Sequence, residues 1–293
     1  MMKNNAKVLW MFLGTVLLVL GGLPFLKGGF YIGTHEGDTL HLADILFREA
    51  QGQWPHLDFM TPIGLLATEP MALFVRLGLG MGYAIFAGQL LVALVFLPMI
   101  VSVICSRIEG WAGWLYGAFV IVLCVALVHG EGDGALSVSM HYNRWAWAAA
   151  YLIVPVILIA PQEGERPVPD GLILGLCMAA LALTKVTYFI SLAPAVLMAL
   201  LVRRWWRVMV VAALAGLAVA AVGTWLAGME FWPAYVGDLL TVARSEVRPQ
   251  PGETLAMVVG GPERLGGSII LLLAVIFLRQ SGRMNEGLVL FYL

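Results

Sequence analysis

With 293 residues, 61% hydrophobic and 12% charged, a mean hydropathy of +0.90 and a formal net charge of −1, the chain is neither an ordinary soluble domain nor a basic nucleic-acid binder. Its uninterrupted apolar runs place it among multi-spanning membrane proteins, and runs this continuous are helices rather than alternating barrel strands. The expected class is an all-α, polytopic integral membrane protein with about eight or nine transmembrane helices.

In chain order, MMKNNAK followed by an apolar stretch at 8–26 has the layout of a signal peptide, but LPFLKGG follows in place of a small-residue cleavage site. It reads as an uncleaved first helix with Lys3 and Lys7 cytoplasmic. Segment 27–80 is too long for a simple connection and forms a long outer first loop. Within it, 39–51 is an expected interfacial amphipathic helix whose stripe is Leu40, Ala43, Phe47 and Ala50, broadened by Leu42, Ile45 and Leu46. Gly52 stops it, QWPHLDFMTPIG is extended, and a second short amphipathic helix runs over 65–77. Further spans are expected at 82–104, 112–129, 145–160, 208–228 and 265–279, with 171–202 forming two short helices broken near Thr184–Ser191. A second long outer loop occupies 229–264, and a last helix begins near Glu286. Because GLVLFYL is too short to span, 1–293 is expected to be one transmembrane domain truncated from a longer protein.

Charge supports this layout. The connections assigned to the cytoplasmic side hold Lys3, Lys7, Arg107, Arg166, Arg203, Arg204, Arg207, Arg279 and Arg283 against the acids Glu109, Glu163, Glu165, Asp170 and Glu286. That excess of cations over acids is the positive-inside pattern, and it puts both long loops outside. Cys105, Cys124 and Cys177 lie in or beside apolar runs and read as small buried hydrophobes.

The first outer loop is the polar centre of the chain, with Glu36, Asp38, Asp44, Glu49, Asp58 and Glu69 beside His35, His41 and His56. Glu36 and Asp38, separated by Gly37, can activate a hydroxyl or hold a divalent cation, or can equally be a solvated loop with Asp38 or Thr39 capping the helix. Residues 129–145 bring Glu131, Asp133, His141, Tyr142, Asn143 and Arg144 to the same side. Arg144 can grip a phosphate, while His141 and Asn143 can bond a sugar or phosphate oxygen; the plain alternative is an interface anchor built on Tyr142, Trp145 and Trp147. Lys185, between Thr184 and Thr187 in an apolar segment, is costly unless it is paired or hydrated, with snorkelling as the alternative. In the second outer loop Arg244, Glu246 and Arg248 are candidate donor or acceptor contacts, with a solvated charge run as the plain reading. RRWWR at 203–207 reads as a topology anchor.

Asp38, Ala43, Leu46, Gly52, Pro55, Asp58, Phe59, Pro62 and Gly64 form a progression that resembles the first outer loop of the polyprenyl-phosphate-dependent glycosyltransferases of the GT-C superfamily. That family includes the protein O-mannosyltransferases and lipid A aminoarabinose transferase relatives, and ALALTKVTYF at 180–189 looks like its broken helix pair. The resemblance implies an inverting transferase that moves a sugar from a polyprenyl-phosphate donor to an acceptor at the outer, periplasmic face of a bacterial inner or plasma membrane. Asp38 would be the base, with Glu36 as alternative; His141, Asn143, Arg144, Lys185, Asp58 and Arg244 would contact substrate, and a divalent metal would sit at Glu36 and Asp38 if one is used. The competing class is a transporter or flippase for a lipid-linked or small polar substrate, whose marks would be internal repeats and charges at the membrane midplane.

Overall fold

Apolar segments close their backbone hydrogen bonds internally, and the chain is accordingly all-α, 76% helical. The computed structural model describes residues 5–27, 29–129, 131–132, 134–245 and 254–282. The expected last helix and the positions Asp133, Glu246 and Arg248 lie outside the described residues. In order, the helices are α1 (Ala6–Lys27), α2 (Glu36–Ala50), α3 (Glu69–Arg76), α4 (Met81–Arg107), α5 (Gly110–Val125), α6 (His141–Leu158), α7 (Pro167–Thr184), α8 (Val186–Val202), α9 (Trp206–Ala227), α10 (Phe231–Ala243), α11 (Leu255–Gly260) and α12 (Pro262–Gln280). Four of them, α1, α4, α7 and α9, are long and apolar enough to cross a membrane; α5, α8 and residues 265–277 of α12 are shorter apolar helices.

The bundle helices alternate in direction. Arg107 at the end of α4 pairs with Asp170 at the start of α7, and Arg203 just after α8 donates to the Leu158 carbonyl at the end of α6. At the opposite end, Gly64 donates to Thr184 at the end of α7, and His141 at the start of α6 reaches the Ala67 carbonyl. The core runs through α1 and α4–α8, with Leu9, Leu13, Ile100, Ile121, Leu152 and Leu174 fully enclosed. Small residues permit the closest approaches: a Cβ on Gly175 would lie 2.2 Å from the Ala212 carbonyl oxygen, and one on Gly171 only 2.5 Å from Val211. This Gly-x-x-x-Gly stripe seats α7 directly on α9, where close van der Waals packing holds apolar helices together without hydrophobic drive.

The segment after α1 is built into the bundle rather than looped over it. β1 (Tyr31–Ile32) pairs in parallel with β3 (Ala135–Ser137), and β3 pairs antiparallel with β2 (Val128–His129). This ribbon explains why α5 stops at Val125 rather than near 129: the following residues pair across the sheet. α2 begins earlier than the apolar pattern indicates, with His35 as N-cap in the left-handed region, so neither Asp38 nor Thr39 is the cap. Its buried face is Leu42, Ile45, Leu46 and Glu49, while Leu40 and Phe47 of the expected stripe are 67% and 52% exposed. The helix presents one apolar face to the bundle and scattered apolar residues outward. Within the segment 229–264, residues Phe231–Ala243 form α10, whose Phe231 and Tyr235 bury against Leu183. Lys185, in extended backbone, is the single residue between α7 and α8.

Candidate functional site

The polar platform at the α7–α8 turn assembles from three stretches distant in sequence. The ribbon carries Ser137 and Ser139 to the first turn of α2, where Ser137 Oγ lies 3.1 Å from His35 Nδ1. Ser139 Oγ donates to Asp38 Oδ2 at 2.5 Å. Asp38 and Glu36 are both exposed, in the first turn where the helix dipole favours carboxylates. Among the described residues no three His, Cys, Asp or Glu side chains gather as a metal-holding group.

The second stretch is 62–70. A Cβ on Gly64 would lie 2.1 Å from the Leu183 carbonyl oxygen, and the Gly64 amide donates to the Thr184 carbonyl at 3.2 Å. Glycine is required here because the loop backbone rests on the last turn of α7. His141, 2% exposed, donates from Nε2 to the Ala67 carbonyl at 2.7 Å and so pins the turn Leu65–Ala67 to the start of α6. Trp145 anchors the next turn of α6 through Nε1 to the Cys124 carbonyl at 3.1 Å.

Between these stretches, Lys185 Nζ sits 4.7 Å from the centre of the Tyr142 ring, a cation–π contact. Asn143 Oδ1 and Arg144 Nε are buried without hydrogen-bond partners. Next to them an apolar cavity of about 210 Å3 is lined by Leu66, Pro70, Val95, Trp145, Leu181 and Thr184. Thr184, which lines it, precedes Lys185 directly in the chain.

Asp58 is exposed and accepts from the Trp54 amide at 2.7 Å, closing its own turn. Arg244 is exposed at the end of α10. Glu131 is described, with left-handed backbone, and exposed.

Two groups that the sequence names without assigning a role are buried at the platform. Glu49, 2% exposed, accepts from Thr68 Oγ1 at 2.6 Å through Oε1, while Oε2 has no hydrogen-bond partner. Burial first, then the neighbouring Glu69, push its carboxyl up to about 8 against the pull of Thr68 and Arg76. Arg76 ties this corner by pairing with Glu69 and donating to the Glu49 carbonyl at 3.3 Å. The signal was available: Glu49 continues the 42, 45, 46 spacing of the buried face.

His56, with left-handed backbone, lies 2.8 Å through Nδ1 from Asp238 Oδ2 on α10, and its ring packs on Phe231 and Tyr235. Burial lowers its basicity, with Asp238 opposing. The ring donates from Nδ1 to Asp238, which also accepts from the Thr61 amide at 3.3 Å. No pattern in the sequence links positions 182 residues apart.

No protein-family model, no curated protein and no solved structure matches the chain.

Proposed function

We propose that the protein is a polytopic membrane glycosyltransferase that moves a sugar from a polyprenyl-phosphate donor to an acceptor hydroxyl at the platform face. The observation that carries this reading is the meeting, at one end of the bundle, of an exposed carboxylate, a cation in a helix break and an apolar cavity. A lipid phosphate needs these neighbours: oily space for its chain and positive charge for its head. In this reading α1, α4–α9 and α12 all cross a bacterial inner or plasma membrane. The arginine-bearing connections then face the cytoplasm and the platform the periplasm.

The reaction is a single displacement. The acceptor oxygen attacks the anomeric carbon as the bond from that carbon to the lipid phosphate oxygen breaks, inverting the centre. Asp38, held through Oδ2 by Ser139, takes the acceptor proton on its other oxygen. The departing phosphate leaves as an anion beside Lys185 and Arg144. Asn143 supplies an acceptor for a sugar hydroxyl and Arg244 a contact at the platform edge. His141 acts as a positioning residue through Ala67, and Asp58 through its turn, rather than by touching substrate. No step is routed through a metal.

The test is transfer by the purified, reconstituted protein from a radiolabelled polyprenyl-phosphate sugar. Asp38→Asn is expected to lower turnover by at least about 100-fold with donor binding retained. Lys185→Ala and Arg144→Ala are expected to weaken donor binding. Full activity of Asp38→Asn removes Asp38 as base, and movement of the donor across vesicles without transfer replaces the enzyme with a flippase.

A further inference from the structure

The end of the bundle opposite the platform contains a second cavity, of about 260 Å3, lined among others by Pro161, Glu165, Arg166, Asp170, Trp205 and Arg207. It lies where α7 and α9 begin, and α4 ends against it through the Arg107–Asp170 pair. Three of the four helices long enough to cross a membrane therefore terminate here, which sets the cavity at the depth of lipid head groups.

Its chemistry is dipolar. Asp170 is 1% exposed; Oδ2 accepts from Arg107 at 2.6 Å, but Oδ1 is buried with no hydrogen-bond partner. A buried carboxylate oxygen without a donor is costly, and the cavity that Asp170 lines is the place from which a donor can come. Arg166 is held in place by donating to the Ser102 carbonyl at 3.1 Å and to Ser102 Oγ at 3.0 Å. Arg207 and Glu165 stand exposed at the rim, and the half-buried Trp205 indole flanks them as interfacial tryptophans do. Two carboxylates and two guanidiniums around one cavity select a ligand carrying both signs.

We infer that this cavity binds the head group of a zwitterionic aminophospholipid, the primary ammonium donating to Asp170 Oδ1 and the phosphodiester meeting Arg207 and Arg166. The acyl chains run down the outside of α7 and α9, whose exposed Leu172, Val210 and Leu214 are apolar. A quaternary head group has no N–H to give Asp170, so discrimination falls on the ammonium. This site is independent of the transferase reading.

The test is native mass spectrometry of the full protein incubated with equal amounts of phosphatidylethanolamine, phosphatidylcholine and phosphatidylglycerol of identical acyl chains. Phosphatidylethanolamine is expected to be retained over phosphatidylcholine by at least about fivefold, a preference of charge-assisted bonding size. Asp170→Asn and the rim variant Glu165→Gln, each taking one carboxylate away from the ammonium, are each expected to reduce that excess to about twofold or less, whereas Arg207→Gln weakens retention of both lipids alike. Equal retention of the two lipids, a preference for phosphatidylglycerol, or an unchanged excess in both carboxylate variants overturns the assignment. Soluble phosphoethanolamine is the control for a free ligand: if it displaces the lipid at equal concentration, the site is for a small metabolite and the lipid assignment fails.

Discussion

At one end of the bundle Arg107 and Asp170 bury opposite charges against each other at 2.6 Å; at the platform end Glu49 and His56 are buried as groups whose charge is removed by protonation state. The paired end ties α4 to α7 through an ionic contact that also engages Ser106 and the Ile159 carbonyl. The platform end is tied by the Glu49–Thr68 and His56–Asp238 hydrogen bonds, the Arg76–Glu69 pair and close backbone contact at Gly64, and it carries the exposed Glu36 and Asp38. Pairing makes a rigid joint. Neutralisation makes a joint that responds to pH, at the end where chemistry is proposed.

The largest effect is expected from breaking the pair. Asp170→Ala leaves the Arg107 guanidinium buried without its counter-ion, a loss of about 3–5 kcal/mol. Thermal unfolding in detergent checks this, and a variant as stable as wild type would show that the pair is solvated. Next is Gly64→Ala, which drives a methyl into the Leu183 carbonyl and is expected to cost about 1–3 kcal/mol by overpacking. The loss should localise: hydrogen exchange should speed at 62–68 and leave the Arg107 end unchanged.

Glu49→Gln sharpens the comparison in pH. Because the folded carboxyl is raised to about 8 from 4.5, the folded state holds its proton where the unfolded chain has released it. Its contribution is complete below about pH 4.5 and is lost as pH rises through about 8. Wild-type platform stability should fall over that window, with a slope of at most about 1.4 kcal/mol per pH step of one. The glutamine variant should be flat there, measured by hydrogen exchange at Thr68–Ala72. His56 runs in the opposite sense: its folded basicity is lowered, so its contribution is present above 6.5 and is lost as pH falls below it. Asp238→Asn removes the anion that offsets charging, so docking of α10 should loosen at a higher pH than in wild type, by about 1 kcal/mol at pH 6. Limited proteolysis after α10 reads this smallest effect, and an unchanged pH profile would sink it.

Much of the helix order was readable because a membrane-class sequence writes its elements as length and apolarity. The runs at 82–104 and 208–228 became α4 and α9 with small shifts, and Lys185 marked its own break because a lysine in an apolar run is anomalous. Face and contact were less legible. Along α2 both Leu40 and Leu42 are apolar, and nothing local says which of two overlapping stripes meets the bundle; packing on α3 and α4 chose Leu42 and Leu46, with Ile45 and Glu49 buried on the same face. The exposed Asp38 could be nominated from sequence, but its Ser139 partner depends on a ribbon whose strands are two or three residues long, too short for any periodicity to register. The Arg107–Asp170 and His56–Asp238 contacts join residues 63 and 182 positions apart. Composition by itself determined an all-helical chain with membrane-crossing helices, since backbone in hydrocarbon has one economical way to bond. Only the tertiary structure decided which charges are paired, which are neutralised and which stay exposed, because those outcomes depend on neighbours that the fold brings within about 3 Å.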